Sequence, residues 1–278
     1  MTDTVYTGRP HSAMEAARRA KRFGWWYFTE HYLRQMRRYG WPIIVSDIGQ
    51  PLLYLIAMGI GLGKLVDASS GTVEGVAYLT FVAPALLVSI SVQSSATELT
   101  YPVMSGFNWQ RYYFAPHAGP LAAWHVSFGH LLAVAFRFVL QAAITTSLMW
   151  LFGYNFAATW PLLLIIGPLA GLAFGAPLQA YAATLKSEGT EFSTIQRFVV
   201  MPLFLFSGTF FPLAVMPSYL QWIGWLSPIW HGAELARFAA YGKEISGWLL
   251  AIHMMFLVAC IGVGIVAAAR SYSKRLTS

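Results

Sequence analysis

Two ionisable side chains stand where the chain is otherwise apolar. Asp47 lies about five residues inside a run that begins near Trp41, and Arg137 about thirteen residues inside another that begins near Trp124. A charge at hydrocarbon depth is costly, so such a group faces protein or a water-filled cavity and marks a transport path. At 1.5 Å of rise per residue the two stand ~8 Å and ~20 Å from the starts of their runs. On that geometry they do not pair, and Asp47 reaches back to arginines at the interface instead. Two such groups are too few for a proton or sodium relay, so the energy source is expected in another subunit. The other reactive types point to no chemistry. His125 and His130 are five apart and do not share a helix face. Cys260 is the single cysteine, inside an apolar run, and no Cys/His cluster has zinc spacing. Neither H-E-x-x-H, nor a nucleophile elbow, nor a pair of catalytic carboxylates occurs, so no catalytic or metal-ligating residue is assigned. The string Gly59-Ile-Gly61-Leu-Gly63-Lys64-Leu65 has the Gly-Lys of a phosphate loop but lacks the following Ser or Thr that would hold magnesium. Gly59 and Gly63, and likewise Gly167, Gly171 and Gly175, are four apart, the spacing of close helix packing.

The elements that must position these residues are membrane helices. Charged residues make up only 10% of the chain and apolar ones 57%, against roughly 25% charged in a soluble domain. A surface so poor in charge does not face water. Apolar runs long enough to cross a ~30 Å hydrocarbon core occur at 42–63, 76–97, 124–152, 160–185, 192–212 and 246–270. The reading is an all-α integral membrane fold, one transmembrane domain over 1–278. It comprises a leader of 1–40, a six-span bundle over 41–270 and a tail of 271–278. The net charge of +7 is concentrated at the ends. That pattern reads as membrane orientation, not nucleic-acid binding. With the N-terminus inside, fourteen Lys and Arg lie in cytoplasmic segments: eight in the leader including Arg9, with Arg111, Lys186, Arg197, Arg270, Lys274 and Arg275. Only Lys64, Arg237 and Lys243 lie outside. The positive-inside rule then places both ends in the cytoplasm.

Two segments are not spans. At 100° per residue Trp25, Phe28, Tyr32, Met36 and Tyr39 share one arc, with Glu30, Arg34, Arg37 and Arg38 opposite. That predicts an amphipathic helix in the membrane surface, its aromatics in the acyl boundary and its arginines toward anionic headgroups. After Phe211-Pro212, expected to end the fifth span, residues 217–240 are aromatic and broken by proline. They are expected to form a re-entrant helical hairpin in the outer leaflet, with Trp222, Trp225 and Trp230 as an interfacial belt.

The stretch Gln196-Arg197-Phe198-Val199-Val200-Met201-Pro202-Leu203-Phe204-Leu205-Phe206-Ser207-Gly208-Thr209-Phe210-Phe211-Pro212 resembles the signature of type-2 ABC exporter permeases. It continues with Met216-Pro217, Leu220-Gln221, Pro228, His231, Glu234 and Arg237, in an order similar to the branch containing nodulation-factor, lipooligosaccharide and daunorubicin-type export permeases. The resemblance implies a permease, not an enzyme. It works as a homodimer, or with a similar permease, in the bacterial cytoplasmic membrane. Two cytoplasmic ATPase subunits hold the ATP and magnesium, and this chain needs no cofactor. It also implies that the 98–123 loop carries the helix that enters the ATPase cleft, here Arg111-Tyr112-Tyr113-Phe114-Ala115-Pro116-His117. Aromatics would fill the groove, Arg111 would meet an acidic rim and Pro116 would end the helix. Lys186, Glu188 and Glu191 would add contacts. Ser207-Gly208 would break the fifth helix, and the outer hairpin would close the top of the dimer. The rival readings are an intramembrane acyl- or glycosyl-transferase and a passive channel.

Overall fold

The computed structural model describes residues 12–187 and 189–277, so Arg9 and Glu188 lie outside the described residues. The chain is all-helical. Among the described residues the nearest thing to a strand is an isolated bridge between Val73 and Val76. Helix α1 (Ala13–Arg38) is capped by Ser12, whose hydroxyl accepts from the Glu15 N–H, and it closes on Arg37 and Arg38, which complement its dipole. Tyr39 interrupts the chain, and α2 (Gly40–Ser69) follows, wound as a π-helix over Leu55–Leu62. Then come α3 (Tyr78–Glu98), a break at Leu99-Thr100, the short α4 (Tyr101–Phe107) and the single turn α5 (Phe114–Ala118). Helix α6 (Ala123–Leu151) leads to α7 (Leu163–Ala182).

Five stretches are long and apolar enough to cross a membrane: Gly40–Ser69, Tyr78–Phe107, Ala123–Leu151, Trp160–Ala182 and Gly247–Leu276 (α12). They match five of the six expected runs. The run expected at 192–212 is different. It forms α8 (Glu191–Ile195), a π-turn (Gln196–Val200) and α9 (Met201–Phe206), sixteen residues in all. Helix α9 stops at Phe206, not at Phe211-Pro212, because Ser207 leaves helical geometry and Gly208 takes φ +75°, the left-handed conformation that favours glycine. Pro202 sits in its first turn, where the missing N–H is tolerated. Beyond Pro212, Pro217 caps α10 (Ser218–Trp225), and Pro228 opens α11 (Pro228–Tyr241).

The core is built on α3, whose middle is buried on every side against α6, α7 and α11. Small residues bring these helices close. A side chain at Gly167 would meet Leu87, one at Gly171 would meet Phe138 and the Ser91 carbonyl, and one at Gly264 of α12 would meet the backbone at Ala176 and Pro177. Gly59 is pressed on Leu79. The glycine spacing therefore serves packing, since dispersion at short range replaces the hydrophobic effect inside lipid.

Helix α1 corrects the expectation made for it. Phe28 and Tyr32 are buried in protein, at 2% and 5% exposure, against α6 and the 112–113 turn, not in acyl chains. The seat is Gly129, where a Cβ would lie 2.6 Å from the Trp25 carbonyl and where Thr29 Oγ1 donates to the Gly129 carbonyl at 3.0 Å. The aromatics that do face outward are Phe23, Trp26 and Tyr27, off the expected arc, together with Tyr39.

Candidate functional site

The cytoplasmic end is braced by a hydrogen-bonded chain behind the 111–117 segment. Arg111 has φ +54°, a reversal that turns the chain back under α4. Its guanidinium lies 4.9 Å from the centre of the Phe114 ring. Tyr113 is completely buried, so it does not project into a partner as expected; it is an anchor. Gln179 Nε2 donates to the Tyr272 hydroxyl (3.2 Å), Tyr272 donates to the Tyr113 hydroxyl (3.3 Å), and the Tyr113 proton then goes to His130 Nδ1 (2.7 Å). That tautomer of His130 carries its proton on Nε2. Burial pushes the Tyr112 phenol up to about 12, so it stays neutral and donates to the Pro102 carbonyl at 3.0 Å. A Cβ at Gly106 would overlap the Tyr113 ring, so glycine there is a condition of the anchor. What remains outward is Arg111 and Ala115, with Phe114, Pro116 and His117 half-buried. Pro116 does not end α5; it lies within the turn, and Gly119 closes it through its N–H to the Pro116 carbonyl. His125 is structural as well, its Nδ1 accepting from the Ala122 N–H at 3.1 Å.

The second assembly lies among the spans. Arg137 Nη2 donates to Asp47 Oδ1 at 3.1 Å, so the two residues expected not to pair form an ion pair. The depth estimate counted backbone rise only; the long arginine side chain spans the difference toward its own helix start. Glu98, at the end of α3, takes the other arm of the guanidinium. Gln141 completes the group, donating to Asp47 Oδ1 (3.0 Å) and to Ser94 Oγ (2.8 Å). Asp47 is 1% exposed and Arg137 10%. Three helices, α2, α3 and α6, are thereby tied at one level. Neither composition nor periodicity singled out Glu98, because it sits at a helix end where acidic residues are ordinary.

A third assembly, at the far end, was also missed. Arg237, counted among the outer loop charges, is 1% exposed. Its Nε donates to the Phe81 carbonyl (3.2 Å), Nη1 to Glu234 Oε1 (2.9 Å) and Nη2 to the Gly208 carbonyl (2.7 Å), with the guanidinium 3.7 Å over the Phe81 ring. Lys243 joins Glu234 (2.7 Å) to Glu74 (2.8 Å). Buried ionisable groups thus number more than the two expected. This cluster fastens the break after α9 to α3 and α11. Of the outer tryptophans, Trp222 and Trp225 are more than half exposed, whereas Trp230 packs edge-on to His231 and His253. Phe211 is exposed, and Pro212 starts a short 3-10 turn. Among the described residues no group of three metal-ligating side chains converges.

The comparisons with known proteins agree with this architecture. Residues 25–241 match the family described as ABC-2 type transporter. Nodulation protein J of Rhizobium leguminosarum bv. viciae is 26% identical over 76% of this chain and 80% of its own length. Nodulation protein J of Bradyrhizobium diazoefficiens is 28% identical over 78% and 81%. The inner membrane transport permease YadH of Escherichia coli is 24% identical over 67% and 72%. With a family match over most of its length and five apolar helices of spanning length, this chain is a multi-pass membrane protein that belongs to the ABC-2 type transporter family, as a permease component.

Proposed function

We propose that the chain is the membrane half of an ATP-driven exporter that moves an amphipathic molecule (lipid-linked, glycolipid or drug-like) outward from the cytoplasm or inner leaflet. Two cytoplasmic ATPase subunits supply the energy, and a second copy of the chain, or a similar permease, completes the assembly in the bacterial cytoplasmic membrane. Both termini lie inside, as the fourteen-to-three charge asymmetry favours. The interrupted helix from Glu191 to Phe206 is the fifth of six crossings, and α10 with α11 forms the re-entrant outer hairpin.

The observation that carries this reading is the buried anchor beneath the 111–117 segment. A surface turn that merely links two helices has no use for a fully buried tyrosine tied through two partners to α6, α7 and α12. A turn that receives a push from an ATPase does. Movement of α5 passes through Tyr113 to α6 and, by way of Tyr272 and Gln179, to α12 and α7. The pathway follows α2, α3 and the fifth crossing. The test is ATPase activity of the nanodisc complex made by co-expressing this chain with an ABC ATPase encoded beside it. Phe114→Ala plus Pro116→Ala is expected to uncouple or release the ATPase. Unchanged assembly and turnover in that variant would remove the coupling role from this segment.

A further inference from the structure

Beside the Asp47–Arg137–Glu98 triad the helices part to leave a cleft of about 390 Å³, within the ~300–1,000 Å³ of small-molecule sites. Every helix around it is apolar, yet its walls are not. Gln50, Gln93 and Gln196 present amides, Ser46 and Thr97 hydroxyls, and Glu98 and Arg137 their ion pair. Polar side chains at membrane depth are expensive and mark function.

The way the amides are spent separates structure from binding. Gln141 is not part of the cleft wall, and it is held tightly by two bonds of 3.0 and 2.8 Å. Gln50 and Gln93 do line it, and they are barely engaged: Gln50 Nε2 stands 3.5 Å from Gln93 Oε1, and Gln93 Nε2 stands 3.4 Å from the Ser89 carbonyl. Each amide offers two donors and an acceptor carbonyl, so most of this capacity faces the cleft.

Charge narrows the occupant. Arg137 is the one cation of the wall, and two carboxylates already neutralise it. An anionic headgroup would meet Glu98 and no spare cation. A quaternary ammonium would need aromatic faces, and no aromatic ring lines the cleft. What fits is a neutral group with several donors and acceptors. At Ile43 and Glu98 the cleft runs into a second groove of about 380 Å³, which is aromatic instead, with Tyr39, Tyr101, Trp109 and Tyr112.

We propose that the cleft between α2, α3, α6 and α8 binds the uncharged, hydroxyl- or amide-bearing headgroup of an amphiphile, whose apolar part lies along the adjoining aromatic groove. The proposal rests on the permease reading and names the substrate class for it. Three photoreactive amphiphiles test it, sharing one diazirine-bearing chain and carrying a maltoside, a phosphate or a trimethylammonium headgroup. Each is cross-linked to the permease–ATPase complex in nanodiscs, and the labelled peptides are mapped by mass spectrometry. The maltoside probe is expected to label residues 39–50 and 93–112 well above the other two. Gln50→Leu plus Gln93→Leu should reduce that labelling at least ~tenfold, the loss expected for two hydrogen bonds. Equal or stronger labelling by the phosphate or ammonium probe overturns the headgroup class and needs no variant. Undiminished maltoside labelling in a folded double variant overturns the site. ATPase co-purification, read on the same sample, reports separately on the permease. An intact complex with an unlabelled cleft defeats this inference alone, whereas a chain that retains no ATPase defeats the exporter reading.

Discussion

Tyr113 and Phe114 are adjacent in sequence and opposite in role, which makes them a sharp test of how the cytoplasmic end works. Tyr113→Phe keeps the ring and removes one hydroxyl. The 2.7 Å bond to His130 Nδ1 is lost and that buried nitrogen is left without a donor, a cost of ~1–3 kcal/mol. The longer bond from Tyr272 goes too, but Tyr272 still receives the Gln179 amide, so this adds only ~0.5 kcal/mol. The sum is a destabilisation of about 2–3 kcal/mol, read as a shift in reversible SDS-induced unfolding in mixed micelles. ATPase binding should survive, because the outward residues are untouched, but transport-coupled turnover should fall. Phe114→Ala should behave in the reverse way. Its half-buried ring contributes little to the core, so the unfolding shift stays below ~1 kcal/mol, while ATPase retention drops. If Tyr113→Phe unfolds like the wild type, or if both variants lose stability and ATPase binding together, the division into anchor and contact is wrong.

Other perturbations follow from the same coordinates. Gly106→Ala should reproduce the stability loss of Tyr113→Phe or exceed it, since the new methyl overlaps the Tyr113 ring; unfolding midpoints compare the two directly. Arg237→Met strands Glu234 and the Phe81 and Gly208 carbonyls, and the loss is expected at ~3–5 kcal/mol, visible as protease sensitivity around 207–217. Gly208→Ala should cost ~1–2 kcal/mol because the position is left-handed. Asp47→Asn and Arg137→Gln should each destabilise, and the double variant should recover part of the loss, because a lone buried charge is worse than none; a double-mutant cycle in SDS unfolding measures it.

Much of the fold was legible because membrane helices announce themselves by length and apolarity, and five runs appear close to their expected limits. The fifth run misled for a definite reason. Thr209, Phe210 and Phe211 are as apolar as what precedes them, so hydropathy continues through a break that only the backbone angle of Gly208 reveals. The leader shows a second limit. Periodicity identified a face containing Phe28 and Tyr32 but not its environment, since aromatics look alike whether lipid or α6 covers them. Asp47 and Arg137 were rightly singled out, yet rise per residue ignores the reach of an arginine. Glu98 and Arg237 were invisible as buried charges, because each lies at the margin of an apolar run and its depth is set by tertiary packing.

The broken helix from Glu191 to Phe206 has a consequence for the lipid around it. Sixteen residues at 1.5 Å each measure about 24 Å, short of a ~30 Å hydrocarbon core. A bilayer adjusts to such hydrophobic mismatch by thinning, at fractions of a kcal/mol per Å. The leaflets beside this helix are therefore drawn together by several ångströms. An amphiphile flipping there has a shorter greasy barrier to cross, and the thickness of the host membrane becomes a control on the rate.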